Sequence, residues 1–269
     1  MNEGILLRAG RVLMWGSVAF WIIFLVTPIV LPVLSSFTAT EYLVFPPRGL
    51  SLRWYEYILD LQWFRTSLVT SLIAATVTTV LCAAIALCAA RVIARSRGRS
   101  AALFEYLCLA PLVVPSVVFG FAFFNLLVQL NLRGLGILNL IVGHAVVTLP
   151  LMLRPIWASM QNADISLEEA AQSLGATPFE TFMRITLPGI MPGIVAGCIV
   201  TFTYAFNDVN VAIFLTGPTL QTLPVELMSQ IGYTPNASPA AVTSLIIVAT
   251  IAVFFAIDRT AGMDVFTRK

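Results

Sequence analysis

Asp208 is the one carboxylate that the sequence sets well inside an apolar stretch, among Thr201, Thr203, Tyr204, Asn207 and Asn210. An ionisable group at membrane depth costs about 2.5–3.5 kcal/mol on insertion scales, so it tends to mark an ion or solute pathway or to be paired. At helical spacing Thr201, Tyr204, Asp208 and Val211 share one face, the face that would line a path, and a carboxylate there favours a cationic solute. The competing reading is hydrogen bonding between helices, worth about 0.6 kcal/mol on average. It suits Thr201 and Thr203 better, whereas Asp208 stands evenly between the two. Asn125 and Gln129, at the end of another apolar segment, are weaker candidates for the path.

A second group of residues is polar and lies between apolar segments. Ser166 followed by Glu169 reads as a capping box, in which the serine oxygen accepts from the third backbone N–H and the glutamate reaches back. Gly175 supplies the left-handed residue that ends a helix. Thr177 with Glu180 reads as a second capping box, and Pro178 occupies the first helical position, where its missing N–H costs nothing. Pro188 marks the approach to the next apolar segment. The pattern predicts two short helices with a bend at Gly175, a thin face at Ala170 and Ala171, and apolar anchors at Leu167, Leu174, Phe179, Phe182 and Met183. An amphipathic helix lying on a membrane favours Lys and Arg on its polar face. This segment carries Glu168 and Glu169 instead, which favours a protein partner.

Nothing else in the chain has the spacing of a catalytic or metal site. The only lysine is Lys269, so the Gly-x-x-x-x-Gly-Lys-Ser/Thr loop that reaches nucleotide phosphates is missing. Cys82, Cys88, Cys108 and Cys198 form no paired Cys-x-x-Cys pattern and read as small apolar core residues. His144 is the single histidine, for which a hydrogen bond between helices is expected. No catalytic, cofactor or metal residue is assigned.

The elements that must position these groups are written in the composition. Of 269 residues, 59% are hydrophobic and 10% charged, against about 25% charged in a soluble domain. Six segments are long enough for a hydrocarbon core that needs about 20 apolar residues: 12–36, 64–90, 103–129, 137–156, 189–215 and 240–258. The first outlasts the apolar run of about 7–15 residues of a cleavable signal, and is expected to be retained. Arg8, Arg11, Arg91, Arg95, Arg97, Arg99, Arg154, Arg184, Arg259, Arg268 and Lys269 fall on one side, and Arg48, Arg53, Arg65 and Arg133 on the other. The excess of basic residues marks the cytoplasmic side, so both termini and the polar segment are expected there. Thr66, Ser67, Thr70 and Ser71 are suited to close helix packing. Trp54, Tyr55, Tyr57 and Trp63 read as an interfacial aromatic belt.

Glu169-Ala170-Ala171, three residues, Gly175, nine residues, Ile185, one residue and Leu187-Pro188 resemble the EAA loop of binding-protein-dependent ABC importer permeases in every fixed position. The resemblance extends over roughly 63–258. Pro111 and Pro115 look like that family's paired-proline segment. Leu215 to Pro218 followed by Gln221 to Pro224 is similar to the external loop of the polyamine (spermidine/putrescine) branch. That branch often carries Phe-Asp-Asp where this chain has Phe206-Asn207-Asp208.

The resemblance implies an all-α membrane protein with six transmembrane helices and a cytoplasmic two-helix coupling loop, 166–188, between spans four and five. Residues 1–62 would form the first span and first external loop, 63–258 the importer domain and 259–269 a cytoplasmic tail. It implies contacts to the ATPase from Glu168, Glu169, Ala170, Ala171, Gly175, Thr177, Pro178, Phe179, Ile185, Leu187 and Pro188. It implies two ATPase subunits that carry the ATP and magnesium, a second permease subunit and an external solute-binding protein, in the bacterial inner membrane. Loop 216–239 and the aromatic cluster would help receive that binding protein. A polyamine or another small organic cation is the expected solute. An aminophosphonate, amino-acid derivative, iron or thiamine importer of the same class is the alternative, and an ion-coupled secondary transporter a more distant one.

Overall fold

A computed structural model describes residues 3–42, 45–95, 99–233 and 236–261. Arg97, Arg268, Lys269 and most of the expected tail 259–269 lie outside the described residues. In chain order the helices are α1 (Glu3–Ser36), α2 (Arg53–Asp60), α3 (Gln62–Arg95), α4 (Arg99–Leu109), α5 (Ser116–Gln129), α6 (Ile137–Asn162), α7 (Ile165–Ser173), α8 (Pro178–Thr181), α9 (Leu187–Asn207), α10 (Ala212–Leu215), α11 (Leu223–Tyr233) and α12 (Ser238–Ala261). Among the described residues there is no strand beyond isolated bridges at Thr38 with Leu50 and Gly217 with Leu220. A chain this apolar has little water to bond its peptide groups, and a helix satisfies them within one segment.

The described residues fall into two compact units, one drawn from Met1–Leu61 and Ser229–Ile257, the other from Gln62–Met228 and Asp258–Lys269. In the first, the apolar stretch Gly10–Ser36 is unburied over its most hydrophobic window. The Tyr55 hydroxyl on α2 lies 2.6 Å from Ser36 Oγ and donates to Ser244 Oγ on α12 at 3.0 Å. The expected aromatic belt is therefore only partly a belt. Trp54 is buried and Tyr55 is turned into this hydroxyl cluster, while Tyr57 stays exposed.

The second unit is centred on α3, α6 and α9, which pack against one another. Cys82, Ala86, Ala89 and Ala90 of α3 meet Met152, Leu153 and Ile156 of α6 and Ile190 of α9. Without a hydrophobic drive between helices in lipid, small side chains that let backbones approach supply the packing. Gly193 and Gly197 do this on α9. A Cβ on Gly193 would collide with the Pro155 carbonyl and Ser159, and one on Gly197 would sit 2.7 Å from Met152 Sδ and 3.0 Å from the Met152 carbonyl. Ser67, Thr70 and Ser71 are buried as expected, although Thr66 is exposed. Ser71 Oγ accepts from the Leu223 N–H at 2.8 Å, where α11 begins.

Among the described residues, four helices are long and apolar enough to cross a membrane: Gly10–Ser36, Gln62–Arg95, Ile137–Asn162 and Pro178–Asn207. Two expected spans differ from the straight segments read from hydropathy. The stretch 103–129 is two helices, Ala102–Val113 and Ser116–Gln129, that meet at 102°. Val114 there is extended and precedes Pro115, because the proline ring disfavours helical backbone in the residue before it. The stretch 189–215 ends as a helix at Asn207, and Val211 leaves the face assigned to it. The sixth stretch appears as α12, whose described apolar part, Ser238–Ala252, is shorter than the others.

Valine at position 197 forces α9 away from α6, an overpacking cost of about 1–3 kcal/mol. The expected result is a lower thermal unfolding midpoint for Gly197→Val in detergent, with no lowering for Gly189→Ala, whose Cβ would meet nothing within 4 Å.

Candidate functional site

The polar segment begins where α6 ends. Ala163 is extended, and the Asp164 carboxylate accepts from the Ser166 N–H at 2.9 Å. Asp164 is thus the cap of α7, and the capping box expected from Ser166 and Glu169 does not form. Two side-chain acceptors competed for the same N-terminus, and the extended turn after α6 presents the earlier one. Its hydrogen bonds to Ser166 hold the Asp164 carboxyl below its ordinary 3.8. Its contribution to the loop is present above that value and is lost as pH falls through the lowered pKa.

The bend follows the sequence reading closely. Gly175 has φ +91°, its N–H donates to the Gln172 carbonyl at 3.0 Å, and the Ala176 N–H donates to the Ala171 carbonyl at 3.0 Å. This is the paired hydrogen-bond pattern of a helix closed by a left-handed residue. The Thr177–Glu180 capping box is complete, with Glu180 N–H donating to Thr177 Oγ1 at 3.3 Å and Thr177 N–H to Glu180 Oε2 at 2.9 Å.

Beyond it the expected second short helix is not separate. Pro178–Asn207 is one helical run, with a π turn at Phe182–Thr186 between α8 and α9. Pro188 has no N–H for the Arg184 carbonyl, and the Leu187 N–H reaches back to the Phe182 carbonyl, closing a wider turn. Proline here widens the helix without ending it.

Exposure divides the loop into two faces. Glu169, Ala170, Thr177, Pro178 and Phe179 are exposed, Ala171, Ile185 and Leu187 half-buried, and Pro188 exposed. Leu174 and Phe179, flanking the bend, are 90% and 69% exposed. Glu168 is turned the other way. It is 8% exposed, accepts from Thr186 Oγ1 at 2.9 Å and is ion-paired with Arg95 at the end of α3. One turn earlier on α3, the Arg91 guanidinium lies 4.9 Å over the Phe182 ring. The sequence reading grouped Glu168 with the outward acids, and its partners, distant in sequence, left no local signal.

The residues proposed for a solute path are only partly brought together. Asp208 ends α9, and its Oδ2 accepts from the Val211 N–H at 2.8 Å, the Ala212 N–H at 3.2 Å and His144 Nε2 at 3.3 Å. His144 is fully buried, and the Asp208 side chain is 2% exposed. This carboxylate caps the turn into α10 and ties it to α6, so it is engaged within the chain. Thr201 is fully buried one to two turns away and Tyr204 half-buried, while Asn207 is exposed and donates to the Thr203 carbonyl on its own helix. Asn125 on α5 likewise donates to its own helix, at the Phe121 carbonyl.

Alanine at position 208 strands two buried backbone N–H groups, each costing about 1–3 kcal/mol when unsatisfied. Asparagine keeps an acceptor oxygen. Asp208→Ala is therefore expected to lose folded protein in detergent, and Asp208→Asn to retain most of it, as read by thermal unfolding.

Residues 83–261 match the family described as binding-protein-dependent transport system inner membrane component. The putrescine transport system permease protein PotI of Escherichia coli (strain K12) is 33% identical over 83% of this chain and 82% of its own length. The spermidine/putrescine transport system permease protein PotC of the same strain is 27% identical over 94% and 97%. The molybdenum transport system permease protein ModB of Mycobacterium tuberculosis (strain ATCC 25618 / H37Rv) is 30% identical over 73% and 80%. Among solved structures, a bacterial alginate ABC transporter in complex with alginate pentasaccharide-bound periplasmic protein aligns with a TM-score of 0.72 at 15% identity, over 96% of this chain and 95% of that one. That likeness is one of fold.

Proposed function

Because the chain belongs to the family of binding-protein-dependent transport system inner membrane components and is a permease subunit of an ABC importer, we propose that its loop 166–188 is where a separate ATPase subunit docks and drives the transport cycle. The observation that carries this reading is the outward face of the loop. Exposed Glu169 and Ala170 lie on the same loop as exposed Leu174 and Phe179, which flank the hydrogen-bonded bend at Gly175. The second arm of the bend is continuous with the membrane-spanning α9. Glu169 offers an acidic contact, Ala170 and Ala171 allow close approach, and the two large apolar side chains fill a partner's cleft.

In this reading six spans cross the inner membrane with both termini in the cytoplasm. Two ATPase subunits carry ATP and magnesium, a second permease subunit completes the path, and an external binding protein delivers the solute. If loaded binding protein favours the outward-facing state, nucleotide must bind that state better as well.

The solute is a polyamine or a related small organic cation, a reading supported by the putrescine and spermidine/putrescine relatives. The molybdenum relative supports a second reading, a different small solute of the same importer class. Asp208, held by three donors of its own chain, favours neither.

Gly175 tests the docking claim. Proline fixes φ near −65° where the chain needs +91°, and it removes the N–H bonded to Gln172. Gly175→Pro is expected to insert normally yet to abolish solute-stimulated ATP hydrolysis in the reconstituted complex; full stimulation would overturn the role of the loop. For the solute, loaded binding protein is expected to raise ATP hydrolysis with putrescine or spermidine and not with molybdate, and the reverse pattern would replace the polyamine reading.

A further inference from the structure

The docking face and the spanning helices are joined by more than the chain itself. The helix α7 that carries Glu169 and Ala170 is connected covalently to α6 through Asp164, and through the bend to α9. It is not directly joined in the chain to α3, the third helix of the central core. The only bonded link from α7 to α3 among the described residues is Glu168 with Arg95, and the same carboxylate receives the hydroxyl of Thr186 in the π turn. Arg91, one turn back on α3, adds its contact with Phe182 in that turn.

Glu168 is therefore the point at which α7, α3 and the root of α9 meet. A charge-assisted bond from a guanidinium fork to a carboxylate is directional and strong for its size. With 8% of Glu168 exposed, water competes little for it. Removing Arg95 leaves the buried Glu168 carboxylate poorly compensated, whereas the Arg95 side chain is 36% exposed and keeps access to water; the contact opposes separation of the loop from α3.

We propose that Glu168 is a positioning residue that locks the loop to α3 through Arg95 and to α9 through Thr186, so that displacement of the docking face reaches all three core helices together. The residue facing the ATPase and the residue facing the core are neighbours in sequence, Glu169 and Glu168, and they divide the work between docking and transmission. In its absence α7 moves α6 and α9 through the chain but slips against α3. ATP is then hydrolysed with less solute moved.

This rests on the docking role proposed for the loop, and the experiment separates the two. The whole complex is reconstituted in vesicles with its binding protein, and solute delivered per ATP hydrolysed is measured for wild type, Glu168→Gln, Arg95→Gln, Arg95→Lys and the exchange Glu168→Arg with Arg95→Glu. Failure of the wild-type complex to couple hydrolysis to uptake would remove the docking reading itself. Where wild type couples, Glu168→Gln and Arg95→Gln are expected to lower solute per ATP by more than about twofold, a factor corresponding to about 0.4 kcal/mol and well below the loss of a hydrogen bond to a charged group. Arg95→Lys is expected to fall between them and wild type, and the exchange to recover much of the loss. Single variants that couple within twofold of wild type, or an exchange no better than the singles, overturn the proposal. If a single variant fails to assemble, the comparison of Arg95→Lys and the exchange with wild type decides alone by the same ratio.

Discussion

A peptide group in hydrocarbon has no water to bond, so it must find a partner within the protein or not be there. That constraint accounts for the all-helical chain, and it also dictates how the helices are allowed to stop. Where α9 ends at Asn207, the backbone N–H groups of Val211 and Ala212 would be orphaned, and the Asp208 carboxylate receives both. Where α11 begins, Ser71 takes the N–H of Leu223 from a neighbouring helix. Other buried hydroxyls, such as those of Thr70, Thr79 and Thr148, donate to carbonyls of their own helices. His144 pairs with the same Asp208 carboxylate.

Satisfied backbones leave packing as the remaining source of cohesion, and here the sequence is economical. Alanines on α3 and the glycines on α9 let the larger side chains of α6, Met152, Leu153 and Ile156, fit against them. Large apolar residues, by contrast, crowd the outside of α1, α3 and α5. This inversion relative to a soluble protein is what lipid permits, since an exposed leucine costs nothing against an acyl chain.

How much of this was legible in the sequence depended on range. Gly175 and the Thr177–Glu180 box were readable because every partner lies within a few residues. The start of α7 was misassigned by two residues because Asp164 and Ser166 both suit a cap, and the path of the chain leaving α6 chose between them. The break at Pro115 was visible as a residue but not as a 102° turn, since hydropathy is blind to direction. Pro188 was read as a boundary, whereas the run from Pro178 passes through it by widening one turn. Glu168 and Asp208 were the hardest. Their chemistry was plain, but Arg95 and His144 lie far off in sequence, and only the packed helices reveal that both acids face inward.

The π turn at Phe182–Thr186 has a consequence for rotation. Each residue advances an α-helix by about 100°, and one wide turn takes up an additional residue within the continuous run. The docking side of the loop and the packing side of α9 are consequently set at an angle to each other by the size of a single turn. Insertion or loss of one residue there would leave both surfaces intact and turn one about the other, like a key cut correctly but entering the lock in the wrong orientation. A family of such chains could thus retune which way its loop faces without altering either the face that docks or the face that packs.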